Sequence, residues 1–364
     1  MIPSLRKRGS TCSPPTPQNA THHKLNPSNQ TKNNSTFESS VPILSTTPTL
    51  GPLLSPAALA AREFLAARLA GYFAAGHHIN GEQGGSAFLL ARHAHGVERG
   101  LTPDDIARGE LGACLAILNN TVAAAYWLVV HVFSDPVVLG ECRRELERDV
   151  VTNEDGERVV DLDCLKASCP VLVSTLQEVM RFRGVGTLII RKVMEDYLLA
   201  GRWMLKKGSV LLMPNLVQQY DPAVWGADAG VFDHRRFMKK KGAANPRALR
   251  IWGSGSTLCP GRHFATTEML AFAALMVLQF DVRPEVGRWV MPRTDGSFGL
   301  GVARIFLMPE NDFEVELVAR EPRLHWRVLL TESKKAVHTV AEDIEAHEKM
   351  EREQEPSQFR RESV

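Results

Sequence analysis

The sequence predicts a mainly α fold carrying small β-sheets. Apolar patterns with helical spacing run over about 104–133, 137–150, 169–182 and 265–280. Strand-like patterns are short and sit late, near 187–191, 197–200 and 210–214. After the strands, the glycine-rich stretch Trp252-Gly-Ser-Gly-Ser-Thr-Leu-Cys-Pro-Gly-Arg-His-Phe-Ala265 sets one cysteine directly before the last helical pattern. The composition supports a sizeable core, with 44% hydrophobic and 23% charged residues over a length of 364. That length fits one large domain or two ordinary ones.

Each element has its own justification. Residues 1–51 are rich in Ser, Thr, Asn and Pro, with Glu38 the only acid. They hold too little apolar material to fold, so a disordered segment is expected. Leu53 to Ala75 reads as an amphipathic helix, interrupted by Arg62, Glu63 and Arg68. Thr102-Pro-Asp-Asp is a helix start with acids in its first turn. The helix it opens passes Leu111, Leu115, Leu118 and Tyr126 towards Phe133, apolar on most faces and therefore central. Ser134-Asp-Pro opens the next helix, Val137 to Val150, whose charged face carries Glu141, Arg143, Glu145 and Arg148. Thr152 to Arg158 reads as a polar loop, and Cys169 to Phe182 as a helix. Beyond the cysteine, Ala265, Met269, Phe272, Met276 and Phe280 form one buried stripe. Residues 298–318 alternate enough to suggest terminal hairpins, and 326–364 form a charged tail, a solvated helix or disordered. The folded domain is thus expected over 52–325.

Several classes of function are excluded. A net charge of +2 is too small to argue for nucleic acid. The six cysteines show neither a CxxC pair nor a framework spacing, which fits a reducing compartment. No HExxH or HxxxH pair stands among the 12 histidines, and His77-His78 and His93/His95 read as solvated loop residues. Gly81-Glu-Gln-Gly-Gly85 lacks the form of a phosphate loop and reads as a flexible loop. No run of about 18 consecutive apolar residues exists, so no transmembrane segment is expected. The chain as written reads as cytoplasmic.

The cysteine stretch carries the chemistry. Glycines let the backbone turn tightly and bring N–H groups close to a sulfur. Pro260 suits the first turn of a helix, and the dipole at a helix N-terminus favours a thiolate. This geometry presents one sulfur to a metal. The stretch resembles the cysteine-ligand loop of the cytochrome P450 family, the haem-thiolate monooxygenases. Gly253, Gly255, Cys259, Gly261 and Ala265 match; Trp252 replaces the usual Phe, and Thr257 stands where a basic residue often meets a haem propionate. The resemblance implies a cytochrome P450-like fold with haem b as cofactor and Cys259 as the iron's protein ligand. A thiolate in that position favours O–O cleavage.

The resemblance extends beyond the loop. Glu178 and Arg181, three apart on one helix, and Arg236 in Phe232-Asp-His-Arg-Arg-Phe237 correspond to the family's buried Glu–Arg–Arg triad, a structural group. His234 stands where that loop usually has Pro. Arg191, at the end of a strand, corresponds to a propionate-pairing Arg. In the long helix, Thr121 and Asn120 occupy the position of the family's acid–Thr pair on the oxygen side. The Asn-Thr pair, followed by Tyr126-Trp127, resembles the branch that includes sterol 7-hydroxylases, prostacyclin synthase and fungal relatives.

The matching parts lie in the family's C-terminal portion, so the fold is expected to be incomplete at the N-terminus and the chain truncated. Three functions follow. The first is monooxygenation of an apolar small molecule, sterol-like or a fungal secondary metabolite, with electrons from a separate NADPH-dependent reductase. The second is a peroxide isomerase or dehydratase needing no reductase. The third is a catalytically silent fragment. A longer form carrying an anchor would sit at the endoplasmic reticulum membrane.

Overall fold

The computed structural model describes residues 56–79, 84–154, 156–184, 188–238, 248–253, 258–294, 305–307, 309–311, 313–321 and 324–329. The expected disorder of 1–51, most of the Gly81–Gly85 loop, and the charged tail beyond 329 lie outside them.

The helices in chain order are α1 (Pro56–Ala74), α2 (Ala87–Glu98), α3 (Pro103–Phe133), α4 (Pro136–Asp149), α5 (Leu162–Ser168), α6 (Pro170–Arg183), α7 (Asn215–Gln219), α8 (Pro222–Trp225) and α9 (Arg262–Gln279). The strands are β1 (Val151–Glu154), β2 (Glu157–Asp161), β3 (Leu188–Lys192), β4 (Tyr197–Leu199), β5 (Trp203–Leu205), β6 (Val210–Pro214), β7 (Phe280–Pro284), β8 (Val315–Ala319) and β9 (His325–Leu329). The predicted class, mainly α with small sheets, is the observed one.

The helix α3 is the axis of the molecule. Thr102 and Asp105 close a capping box at its start, with Pro103 in the first turn. It packs on α1, α6 and α9. Its second half, Ala123 to Phe133, is in the core with Leu172, Leu176, Val179, Leu270, Ala273 and Val277. Its first half is more open: Leu118 is 63% exposed and Val122 55%. Helix α3 is long and apolar enough to span a membrane, a property the core helix of a packed domain can share. Here it is instead the central helix of the packed core, which is how the sequence placed it.

The segment 151–161 differs from its reading as a polar loop. Val151–Glu154 and Glu157–Asp161 pair antiparallel as a hairpin. Asp155-Gly156 between two valine pairs was the signal, one of the strongest short-range marks of a hairpin. Strand β2 also pairs parallel with β9, so the sheet runs four residues past position 325. Arg158 locks this corner, reaching Glu147 and Glu321 and lying over the Trp326 ring. Of the hairpins expected over 298–318, residues 298–304 lie outside the described residues, and β8 pairs with β7. His93 and His95 are on α2 rather than in a loop, and His78 is buried, its ring 4.2 Å from that of His93.

The charged face read on α4 is largely turned inward. Glu145 accepts the Val171 N–H at 3.0 Å and the Leu172 N–H at 3.4 Å, capping α6, whose own N-cap Cys169 makes no side-chain bond. Arg143 donates to the Phe280 carbonyl and the Asp281 carboxylate, tying α4 to β7. These contacts hold α6 in place against α3.

Candidate active site

The helix α6 buries Glu178 and Arg181 completely, and the 3-10 turn Arg236–Met238 brings Arg236 to them. Arg181 forks onto Glu178, Nε to Oε2 at 2.8 Å and Nη2 to Oε1 at 2.7 Å. Arg236 donates from Nε to the same carboxylate at 3.1 Å. One carboxylate cannot balance two buried guanidiniums, so the remaining donors go elsewhere. Arg181 reaches the Gln219 and Ala229 carbonyls at 2.7 and 2.8 Å. Arg236 reaches the Trp225 and Val231 carbonyls and the Asp228 carboxylate. Sequence reading placed the three residues together but missed Asp228, for which no local pattern exists.

A second carboxylate holds the same loop from outside. Glu141 on α4 accepts from Arg235 and sits 3.2 Å from His234 Nε2. Hydrogen bonding from Arg235, with His234 adding to it, keeps the Glu141 carboxyl below the usual carboxylate range. His234 therefore stands in the usual proline position with a partner that proline would lack.

The cysteine loop is anchored at its ends. The Cys259 N–H donates to the Trp252 carbonyl at 2.8 Å, closing the loop across seven positions. Gly253 turns the chain with φ +89°, a conformation that suits glycine. A Cβ at Gly184, the C-cap of α6, would overlap Ile251, so the end of the triad helix abuts the residue before Trp252. Gly261 is the N-cap of α9, and a Cβ there would stand 3.9 Å from Cys259 Sγ. Cys259 is half-buried, without a disulfide partner. Trp252 packs on the core, its indole N–H buried with no hydrogen-bond partner. Gly255 and Thr257 lie outside the described residues.

On α3, Asn120 and Thr121 are half-buried beside the exposed Leu118 and Val122. The Asn120 amide oxygen accepts the Ile305 N–H at 2.8 Å, and the Trp127 indole N–H donates to the Leu307 carbonyl at 2.8 Å. A short strap, 305–307, is thereby laced to α3, and nothing in the sequence announced it. Arg191 is half-buried within β3, one residue before the strand's end, with one N–H on the Ile190 carbonyl at 2.9 Å. Behind the site, Arg183 lies 4.0 Å over the Trp127 ring and donates to His131 Nε2 at 3.1 Å. His131 stacks on Phe232 at 3.8 Å, and burial pushes its pKa down to about 3, with Arg183 adding to the shift.

Comparison with known proteins decides what this assembly is. The Cytochrome P450 family profile matches residues 79–311. This chain belongs to the cytochrome P450 family. It is 31% identical over 258 residues to cytochrome P450 monooxygenase nodJ of Hypoxylon pulicicidum, covering 67% of this chain and 49% of that one. Bovine prostacyclin synthase is 29% identical over 257 residues, 63% of this chain and 48% of that one. Porcine cytochrome P450 7A1 is 26% identical over 233 residues, 57% and 44% respectively. The P450 chain described here thus spans about half the length of the curated relatives it matches.

A P450 implies haem, and the donor set can be tested against it. Among the described residues no three His, Cys, Asp or Glu side chains cluster as a metal site. Cys259 is instead a single unpaired thiol at a helix N-terminus, with glycine on its helix side. One sulfur from the protein, with the other ligands from a macrocycle, is what haem-thiolate ligation requires. These residues fit the prosthetic group.

Proposed function

We propose that the protein is a haem-thiolate monooxygenase that inserts one oxygen atom from O2 into an apolar small molecule. The observation that carries this reading is Cys259, a lone half-buried thiol fixed by its bond to the Trp252 carbonyl at the start of α9. Bound haem b supplies oxygen activation, and a thiolate ligand favours O–O cleavage. The chain's own residues bind and orient. Cys259 would ligate the iron, with Gly253 and Gly261 letting the backbone approach and Trp252 walling the sulfur side. Arg191 would pair with a propionate as a charge-assisted donor. Thr121 and Asn120 would line the oxygen side, the Thr121 hydroxyl holding a proton and Asn120 fixing that turn through Ile305. Glu178, Arg181 and Arg236 are structural, setting the core behind the loop. Residues 52–325 form the haem domain portion.

A separate NADPH-dependent reductase supplies the electrons, and the substrate is sterol-like or a fungal-type secondary metabolite, in keeping with the fungal relatives. The protein works on the cytoplasmic side or at the endoplasmic reticulum membrane. A second reading is peroxide isomerisation or dehydration without a reductase. Asn120, which cannot titrate where the family commonly has an acid, and the similarity to prostacyclin synthase favour it. Turnover of an apolar substrate with NADPH and a reductase supports monooxygenation. Turnover of a lipid peroxide alone, with none in the first assay, supports the second reading instead.

A further inference from the structure

Two imidazoles stand in contact beside α1, in a part of the molecule that the cysteine site does not use. The chain leaves α1 through Gly76, at φ +70°, and the turn that follows carries His78 inward, only 6% exposed. The His78 carbonyl accepts the Gly85 N–H at 2.8 Å, which pins the backbone there. The His78 ring stands edge-on to Phe73 at 5.2 Å and 85°. His93, half-buried on α2, sets its ring 4.2 Å from that of His78 and 4.9 Å from that of Phe73.

The His78 Nδ1 atom is buried and has no hydrogen-bond partner among the described residues. A buried imidazole nitrogen left unpaired is costly, so a species that pairs it is favoured. Of the rings packed on His78, those of Tyr72, Phe73 and His93, only His93 carries a second nitrogen. A proton is not the species. Burial, with His93 adding to it, lowers the His78 pKa below its ordinary value of 6.5. The ring is therefore neutral at pH 7, the form in which imidazole ligates a metal. The neighbouring cation on α2, Arg92, is turned to Glu110 at 2.8 Å. Zinc holds imidazole nitrogen at about 2.0–2.1 Å, so two nitrogens sharing one ion stand at most about 4.2 Å apart. Rings whose centres are 4.2 Å apart meet that limit with their nitrogens turned towards each other. Phe73 lies against both rings and restricts their orientation, as groups around a metal site do.

We propose that His78 and His93 bind one Zn2+ ion, with water completing its coordination, and that the ion ties the end of α1 to α2. Two protein ligands make a weaker site than the three or four of catalytic and structural zinc. The test is calorimetric titration of the full chain with Zn2+, followed by zinc-edge X-ray absorption of the loaded protein. One ion per chain is expected, with nitrogen and oxygen neighbours at about 2.0–2.1 Å and no sulfur at about 2.3 Å. Zn2+ is also expected to raise Tm, because the ion binds the folded state. His93→Gln, at a half-buried position, is expected to weaken binding about tenfold or more and to remove the rise in Tm. His78→Leu is expected to do the same; if it folds poorly, His93→Gln alone decides. Absence of stoichiometric binding overturns the proposal, as does unchanged affinity in His93→Gln. A sulfur neighbour overturns it by placing the ion on a cysteine. Equal weakening by His95→Gln, an exposed imidazole on the same helix, overturns it too, because it marks diffuse binding over surface histidines.

Discussion

Glu178 is the carboxylate shared by the two arginines of the triad. Two guanidiniums and the Asp233 N–H all meet its carboxylate, in a place with no solvent. Removing it strands two buried cations, so Glu178→Ala is expected to cost about 3–5 kcal/mol in denaturant-derived stability. Asn120 does a lighter task, and Asn120→Ala is expected to cost about 1 kcal/mol through the lost bond to Ile305. His131 sets an acid limit. Its folded pKa, about 3, lies below its ordinary value of 6.5, so it must enter the folded state neutral. The stability it contributes is present above about 6.5 and is lost as the pH falls towards 3. Denaturation midpoints followed across that window are expected to fall, and His131→Gln, which keeps an acceptor for Arg183, is expected to flatten the slope.

At the scale of elements, packing is carried by caps as much as by apolar stripes. Glu145 supplies the acceptor that the N-terminus of α6 lacks, and it does so while burial pushes its own pKa up. Glu145→Ala leaves two N–H groups unpaired and is expected to lower the unfolding free energy by about 1–3 kcal/mol, read by thermal or chemical denaturation. The long helices were legible in the sequence because each holds its apolar stripe over several turns, and Thr102 and Asp135 mark their starts. The triad was legible because Glu178 and Arg181 share a helix face and Arg236 follows in a recognisable segment. The β1–β2 hairpin was readable from Asp155-Gly156 and was missed under its charges. Strand β9 was not readable, since its parallel partner lies more than 160 residues upstream and only the fold brings them together. The 305–307 strap escaped for the same reason, its partners being Asn120 and Trp127.

Across the whole molecule, α3 links the packed core to a more open surface. Its second half is the core, and its first half leaves Leu118 and Val122 open next to Asn120 and Thr121. The cysteine loop is held by α6 at Gly184 and by the core contacts of Trp252. The central claim is that this frame presents Cys259 to haem as a thiolate. The most direct measurement is the absorption spectrum of the full chain reconstituted with haem, reduced and exposed to CO. The wild-type protein is predicted to give the red-shifted Soret band of thiolate ligation, and Cys259→Ser to lose it while keeping its far-ultraviolet circular dichroism. A wild-type chain that binds no haem would be the silent fragment, and a Cys259→Ser spectrum identical to wild type would contradict the assignment of the ligand.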